Sequence, residues 1–258
     1  MLNRFLENDW TVVATTRNPE KIKIASNLHI LPYNIAMPLE RERIIEYVTQ
    51  HCSNGLDCLI NNAGYGLAGP LEALNEEQIR QQFEVNFFAP LLLTRDLLPS
   101  LYKVKGKIIN ISSVLGFTGM PMQSLYAASK FALEGLSESL HYELAPHGIQ
   151  VTLIEPGGFR TGFAEGMDWP TDPQAFPHYQ RHFQGYQNFL KRVSKVRKGK
   201  NPSHVADVVY QLANRQSLPL RVRVGEDTHA LYYLRRSLPQ KIADRVLKRI
   251  SRIILETR

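Results

Sequence analysis

The stretch Asn110–Lys130, NISSVLGFTGMPMQSLYAASK, decides how this chain folds. The run leading into it, KIINIS (Lys107–Ser112), is apolar and β-rich and stops in a pair of serines. The run leading out, LYAASKFALEGLSESLHYEL (Leu125–Leu144), has helical periodicity. A buried strand therefore gives way to a Gly-containing loop and a long helix. Tyr126 and Lys130 are four apart, so the helix puts them on one face, one turn from each other. Ser113 stands at the strand end, where the loop can fold it back towards Tyr126. A hydroxyl, a phenol and an ammonium converging above a sheet edge suit proton transfer to or from a carbonyl–alcohol pair. A free phenol has a pKa near ~10, and a cation one turn away is expected to lower it. The Tyr-x-x-x-Lys spacing alone also fits an ordinary surface pair, so the rest of the chain has to separate the two.

Outward from that stretch, strands and helices alternate. WTVVATTR (Trp10–Arg17), LHILPYNI (Leu28–Ile35), LDCLINNAG (Leu56–Gly64), the run into Ser112, and GIQVTLIE (Gly148–Glu155) read as strands. PLERERIIEYVTQHC (Pro38–Cys52) and the segment Glu76–Leu101 read as helices, the second with a bend or break expected near Pro90. The strands are apolar throughout, as in a parallel sheet covered on both faces. A doubly wound α/β fold with helices on both sides follows. Right-handed crossovers gather the strand C-termini along one edge. Arg17, Asn34, Asn62, Ser113 and Pro156-Gly157 all fall there. LRVRVGE (Leu220–Glu226) reads as a last, edge strand with one exposed face, and residues 229–252 as helical and basic.

The 258 residues are enough for one domain spanning 1–258. Apolar residues make up 43 % and charged ones 21 %, an ordinary balance for a water-exposed globular chain. No apolar run reaches membrane-span length and no signal-type segment opens the chain, so a cytoplasmic location is expected. Cys52 and Cys58 match no zinc or redox spacing, which fits a reducing compartment. The formal charge of +7 is concentrated in KRVSKVRKGK (Lys191–Lys200) and from Arg235 to Arg258. No aromatic-basic pattern accompanies it, so nucleic acid is not expected. A solvated basic face is one reading; attraction to an anionic cofactor, substrate or membrane surface is the other. Residues 162–200 carry Phe163, Trp169, Phe176, Tyr179, Phe183, Tyr186 and Phe189 with several prolines. They read either as a lid over an apolar ligand or as a helical hairpin packed on the core.

Taken together, Asn61-Asn62-Ala63-Gly64, Asn86 in EVNFFAP, Ser113, Tyr126-x-x-x-Lys130 and PGGFRT (Pro156–Thr161) resemble the short-chain dehydrogenase/reductase family in order and spacing. The lid and PLRVRVGED resemble its hydroxysteroid and retinol dehydrogenase branch. The resemblance implies an alcohol–carbonyl oxidoreductase with a Rossmann-like sheet. It implies that Tyr126 is the acid/base, that Ser113 hydrogen-bonds the substrate oxygen, that Lys130 lowers the Tyr126 pKa and holds the nicotinamide ribose, and that Asn86 seats a relay water. Ser113, Tyr126 and Phe163 would meet the substrate. Arg17, Asn34, Ile35, Asn62, Ala63, Gly64, Pro156, Gly157, Phe159 and Thr161 would join Tyr126 and Lys130 around the cofactor. Thr16 stands where NAD-dependent members carry an acid, and Arg17 follows it. An uncharged residue beside a guanidinium favours a 2′-phosphate, hence NADP(H) rather than NAD(H). No metal is implied. The family often forms homodimers or homotetramers through the helices at 76–101 and 125–144.

One departure stands at the front. The family opens with a strand and a Gly-rich TGxxxGxG turn that holds the pyrophosphate at a helix N-terminus. This sequence shows neither, and roughly 20 residues are expected to be missing, judged by a typical strand plus part of a helix. The absent strand would lie between the strands at 10–16 and 56–61. An incomplete form of an active enzyme is the expectation. A catalytically silent binding or scaffold protein on the same fold is the alternative, and an epimerase or dehydratase a third reading for which the chain has little room.

Overall fold

The computed structural model describes residues 1–258 apart from 36, 38, 39, 160, 161, 197–200 and 258, and gives the main chain alone for 194–196. The apolar runs form strands β1 (Val12–Thr16), β2 (Leu28–Pro32), β3 (Cys58–Asn61), β4 (Lys107–Ile111), β5 (Gln150–Pro156) and β6 (Arg221–Val224). Every pairing is parallel. Strands β3-β4-β5-β6 are hydrogen-bonded in that order, with Ile60 beside Ile109 and Ile154 beside Val222, and β1 pairs with β2. No ladder joins β1 to β3 among the described residues. The described strands thus form two ladders, β1-β2 and β3-β4-β5-β6.

Helices α1 (Leu2–Leu6), α2 (Arg41–His51), α3 (Glu76–Phe83), α4 (Ala89–Val104), α5 (Ser124–Leu144), α6 (Gln180–Val196), α7 (Ser203–Asn214), α8 (Glu226–Ser237) and α9 (Gln240–Leu255) occupy the crossovers and the C-terminal end. The period of two along each strand sends neighbours to opposite faces. Ile108 and Val151 pack with Val48, Leu93 and Leu97 of α2 and α4 on one face. Ile109 and Ile154 pack with Phe5, Val209 and Leu212 of α1 and α7 on the other. Val12 of β1 and Ile60 of β3 rest on that second cluster together, so the helical layer spans the division in the sheet.

Two helical segments carry detail beyond the sequence reading. Between α3 and α4 the chain widens into a π-helical turn, Glu84–Phe88, with Pro90 just inside α4. A proline lacks the N–H that would bond four residues back, at Asn86, and its ring crowds that carbonyl. A wide turn relieves both, so the helix deforms rather than breaks. The stretch 229–252, read as helical and basic, is helical in two pieces, α8 and α9. Leu238 is extended, at φ −95° and ψ 146°, because Pro239 excludes the helical region for the residue before it. In the expected lid region, α6 packs against α9 through Phe183, Tyr186 and Ile254, with Trp169 and Phe176 against the same cluster.

Candidate active site

β4 delivers Ser113 to the sheet edge. Its hydroxyl oxygen accepts from the Leu115 N–H at 3.1 Å and so caps the short turn Val114–Gly116. The chain then enters α5, whose first turns bring in Tyr126 and Lys130. Both are buried, Tyr126 to 6 % exposure and Lys130 to 5 %. The Ser113 hydroxyl is hydrogen-bonded to the Tyr126 phenol. Lys130 Nζ donates to the Ile111 carbonyl at 2.8 Å and sits 5.8 Å from the centre of the Tyr126 ring. The three groups that the sequence singled out therefore converge.

Their electrostatics differ from expectation. Burial pushes the Tyr126 phenol up to about 12, and the Ser113 hydrogen bond only partly offsets it. The net shift is therefore upward, opposite to the lowering expected from Lys130, because burial outweighs the favourable contact. Burial also brings Lys130 itself down to about 8, against the pull of Glu134 one turn further along α5. A neutral phenol beside a lysine that titrates near neutrality is a proton-holding pair.

Asn86 lies in the π-helical turn. Its Nδ2 donates to Tyr65 O at 3.0 Å and to Ser129 Oγ at 3.2 Å, while its Oδ1 accepts the Tyr65 N–H at 3.1 Å. Ser129 Oγ in turn donates to Tyr126 O at 2.8 Å. The Asn86 side chain thus clamps the loop after β3 to α5.

A cavity of about 800 Å³ opens at the ends of β1, β2 and β3. Thr16, Arg17, Asn34, Ile35, Ala63 and Gly64 line it. Gly64 cannot carry a side chain comfortably: a Cβ there would lie 3.2 Å from Asn86 Oδ1 and 3.6 Å from Lys130 Nζ. Tyr65, missed in the sequence, also lines the cavity, and its buried hydroxyl has no hydrogen-bond partner among the described residues. Asn62, Ser113, Tyr126, Lys130, Pro156, Gly157 and Phe159 are not in its wall; Gly64 is the lining residue that borders Lys130. Phe159, expected at the cofactor, is partly buried and packs on the cluster of Ile154 and Val209. Gly157 donates to Val224 O at 2.8 Å and Gly158 to Asp227 Oδ2 at 2.7 Å, so this loop is tied to β6 and α8. Thr161 lies outside the described residues. Phe163 meets Tyr126 with ring centres 5.3 Å apart, closing the apolar side of the site.

Behind the site lies a charged cluster that sequence reasoning missed. Glu134 Oε2 accepts from Arg221 Nε at 2.8 Å. Glu155, 1 % exposed, lies 3.0 Å from Arg223 Nε and 3.4 Å from Arg221 Nε. Burial, then the Glu134 charge, pushes its carboxyl up to about 7. A signal existed for Glu134, four residues after Lys130 on the same helix face. For Glu155 and Arg223 the strand register of β5 and β6 was needed.

A family model described as short chain dehydrogenase matches residues 1–169. The chain is 34 % identical to the oxidoreductase YusZ of Bacillus subtilis (strain 168), over 95 % of this chain and 91 % of that protein. It is 32 % identical to a 3-ketodihydrosphingosine reductase of Bacteroides thetaiotaomicron, over 94 % and 89 %. Among solved structures, a short-chain dehydrogenase from Streptomyces avermitilis is similar at a TM-score of 0.75 with 27 % identity, covering 97 % of this chain and 92 % of that one. A metagenomic short-chain oxidoreductase in complex with NADP is similar at a TM-score of 0.64 with 26 % identity, covering 86 % and 90 %.

Proposed function

The chain belongs to the short-chain dehydrogenase family, and from that membership we propose that it is an NADP(H)-dependent oxidoreductase interconverting an alcohol and a carbonyl on an apolar or amphipathic substrate. The observation that carries the proposal is the buried convergence of Ser113, Tyr126 and Lys130. The nicotinamide, when bound, supplies or accepts the hydride.

The protein's own part is to hold and move a proton. The Tyr126 hydroxyl, kept neutral by burial, is the donor to a carbonyl oxygen that gains charge as hydride arrives. Ser113 is a second donor to that oxygen, and aimed donors of this kind are worth about 10²–10³ in rate. Lys130, near neutrality in its titration, replaces the proton. Phe163 keeps water from the apolar side of the phenol.

The residues present fit the adenosine and nicotinamide ends of the cofactor, with none assigned to its pyrophosphate. The cavity has Arg17 beside uncharged Thr16 at one end, the place for a ribose 2′-phosphate, and Gly64 with the orphaned Tyr65 hydroxyl further along. Asn34 and Ile35 would border the adenine, and Lys130 the nicotinamide ribose. The name of the sphingoid reductase relative supports a lipid-like ketone as substrate, and the NADP-bound neighbour supports the cofactor. Exposed Phe88, Tyr102, Phe131 and Tyr142 on and beside α4 and α5 support a homodimer or homotetramer through those helices.

The test is the ratio of kcat/KM for NADPH against NADH, in the parent and in Arg17→Ser. A charged hydrogen bond to phosphate is worth about 1.5–3 kcal/mol. The variant is expected to lose roughly 10–100-fold of the NADPH preference. An NADH preference unchanged by the substitution would refute the cofactor assignment.

A further inference from the structure

The helix α9 carries three kinds of surface in order around its circumference. At about 100° per residue, Ile250, Ala243 and Ile254 fall together. This is the buried side, where Ile250 and Ile254 join the α6 cluster and Ala243 is 4 % exposed. Next to it, Ile242, Val246 and Ile253 fall within about 40° of one another. These three are exposed, at 46 %, 36 % and 60 %. Beyond them come Arg249, Arg245, Arg252, Lys241 and Lys248, and Asp244 is the one acid of the helix. At the junction with α8, Leu238 and Tyr233 are exposed as well, beside Arg235 and Arg236.

An exposed aliphatic edge is costly in water unless something covers it. Here the edge runs directly beside a basic arc, so the cover must be apolar in one part and anionic in the next. A bilayer interface with acidic headgroups has that profile, and a helix of this kind lies in its plane with the apolar edge sunk about 5–10 Å. No helix among the described residues is long and apolar enough to cross a membrane, so the contact is with the surface.

We propose that α9, with the α8 junction, docks this protein reversibly on anionic lipid surfaces through Ile242, Val246 and Ile253 and the flanking arginines and lysines. The position of α9 gives the contact a consequence. Its buried side packs on α6, and that same cluster continues through Met120 and Phe163 to the ring of Tyr126. A bilayer contact at α9 is therefore joined through one packed cluster to the apolar side of Tyr126, the side on which a lipid-like substrate would be met. This consequence rests on the function proposed above; the docking does not.

The experiment is co-sedimentation of the full chain with vesicles of phosphatidylcholine alone, or of equal parts phosphatidylcholine and phosphatidylserine, at low and high ionic strength. Two variants accompany it: Ile242→Gln/Val246→Gln/Ile253→Gln, and Arg245→Gln/Arg249→Gln/Arg252→Gln. All six side chains are on the exposed part of the helix, and melting temperature checks that both variants fold. Binding to the acidic vesicles alone is expected, weakened by salt. Each removed charge should weaken it about fivefold, and the apolar variant should lose at least tenfold. Equal binding to both vesicle types, no binding to either, or full binding by the apolar variant would overturn the proposal. So would salt-sensitive binding to duplex RNA without binding to vesicles. Because sedimentation needs no turnover, its failure is distinct from failure of the enzymatic reading.

Discussion

Lys130 Nζ donates to the Ile111 carbonyl at 2.8 Å, so the ammonium of α5 is anchored to the last residue of β4. The anchor holds Lys130 in a buried position where its charge is poorly solvated, which brings its pKa from 10.5 down to about 8. Between those values the unfolded chain binds a proton that the folded chain does not. Below about pH 8 both states are protonated and the whole desolvation cost is present; from about pH 8 to 10.5 it is relieved, and stability from this group rises. The melting temperature of the parent minus that of Lys130→Met is therefore expected to climb across that interval. A flat difference would mean that Lys130 is solvated.

Glu155 runs the other way. Its carboxyl is raised from 4.5 to about 7, so the folded chain keeps a proton that the unfolded chain releases. The stability this gives is complete below about pH 4.5 and is lost as pH rises through about 7. In a melting series against Glu155→Gln, the parent's advantage should shrink over that window. An advantage that grows instead would show that Arg221 and Arg223 hold the carboxylate charged.

Gly157 packs against Asp227 so closely that a Cβ would come within 2.2 Å of Asp227 Oδ1. The carboxylate is not free to move aside, since Oδ2 accepts the Gly158 N–H at 2.7 Å. Gly157→Ala is expected to cost about 1–3 kcal/mol, the usual penalty for overpacking. Adding Asp227→Ala should recover part of that loss, as coupled neighbours do. Additive losses in a denaturant double-mutant cycle would separate the two residues.

Much of this molecule was legible along the chain because its information is local. The apolar strand runs, the serine pair closing β4 and the helical spacing of Tyr126 and Lys130 need only a few residues of context. What was not legible depends on tertiary placement. The direction of the Tyr126 shift turned on its burial, which only the packed fold supplies. The Glu155–Arg223 pair needed the register of β5 with β6, and the Gly158–Asp227 bond joins positions 69 apart. Pro90 signalled a disturbance but not its form, since a π-helical turn and a break relieve the same clash. Pro239 is the local signal for the division between α8 and α9, since it excludes the helical region for Leu238.

The central claim, that the Tyr126 hydroxyl is the proton donor in a hydride transfer, is tested most directly by single-turnover oxidation of NADPH with an apolar ketone. The parent and Tyr126→Phe are compared after both are shown to fold and to bind NADPH. General acid catalysis contributes about 10²–10⁴ in rate, so the variant is expected to lose at least a hundredfold with binding unchanged. A variant that turns over within a few-fold of the parent would contradict the account and place the proton elsewhere.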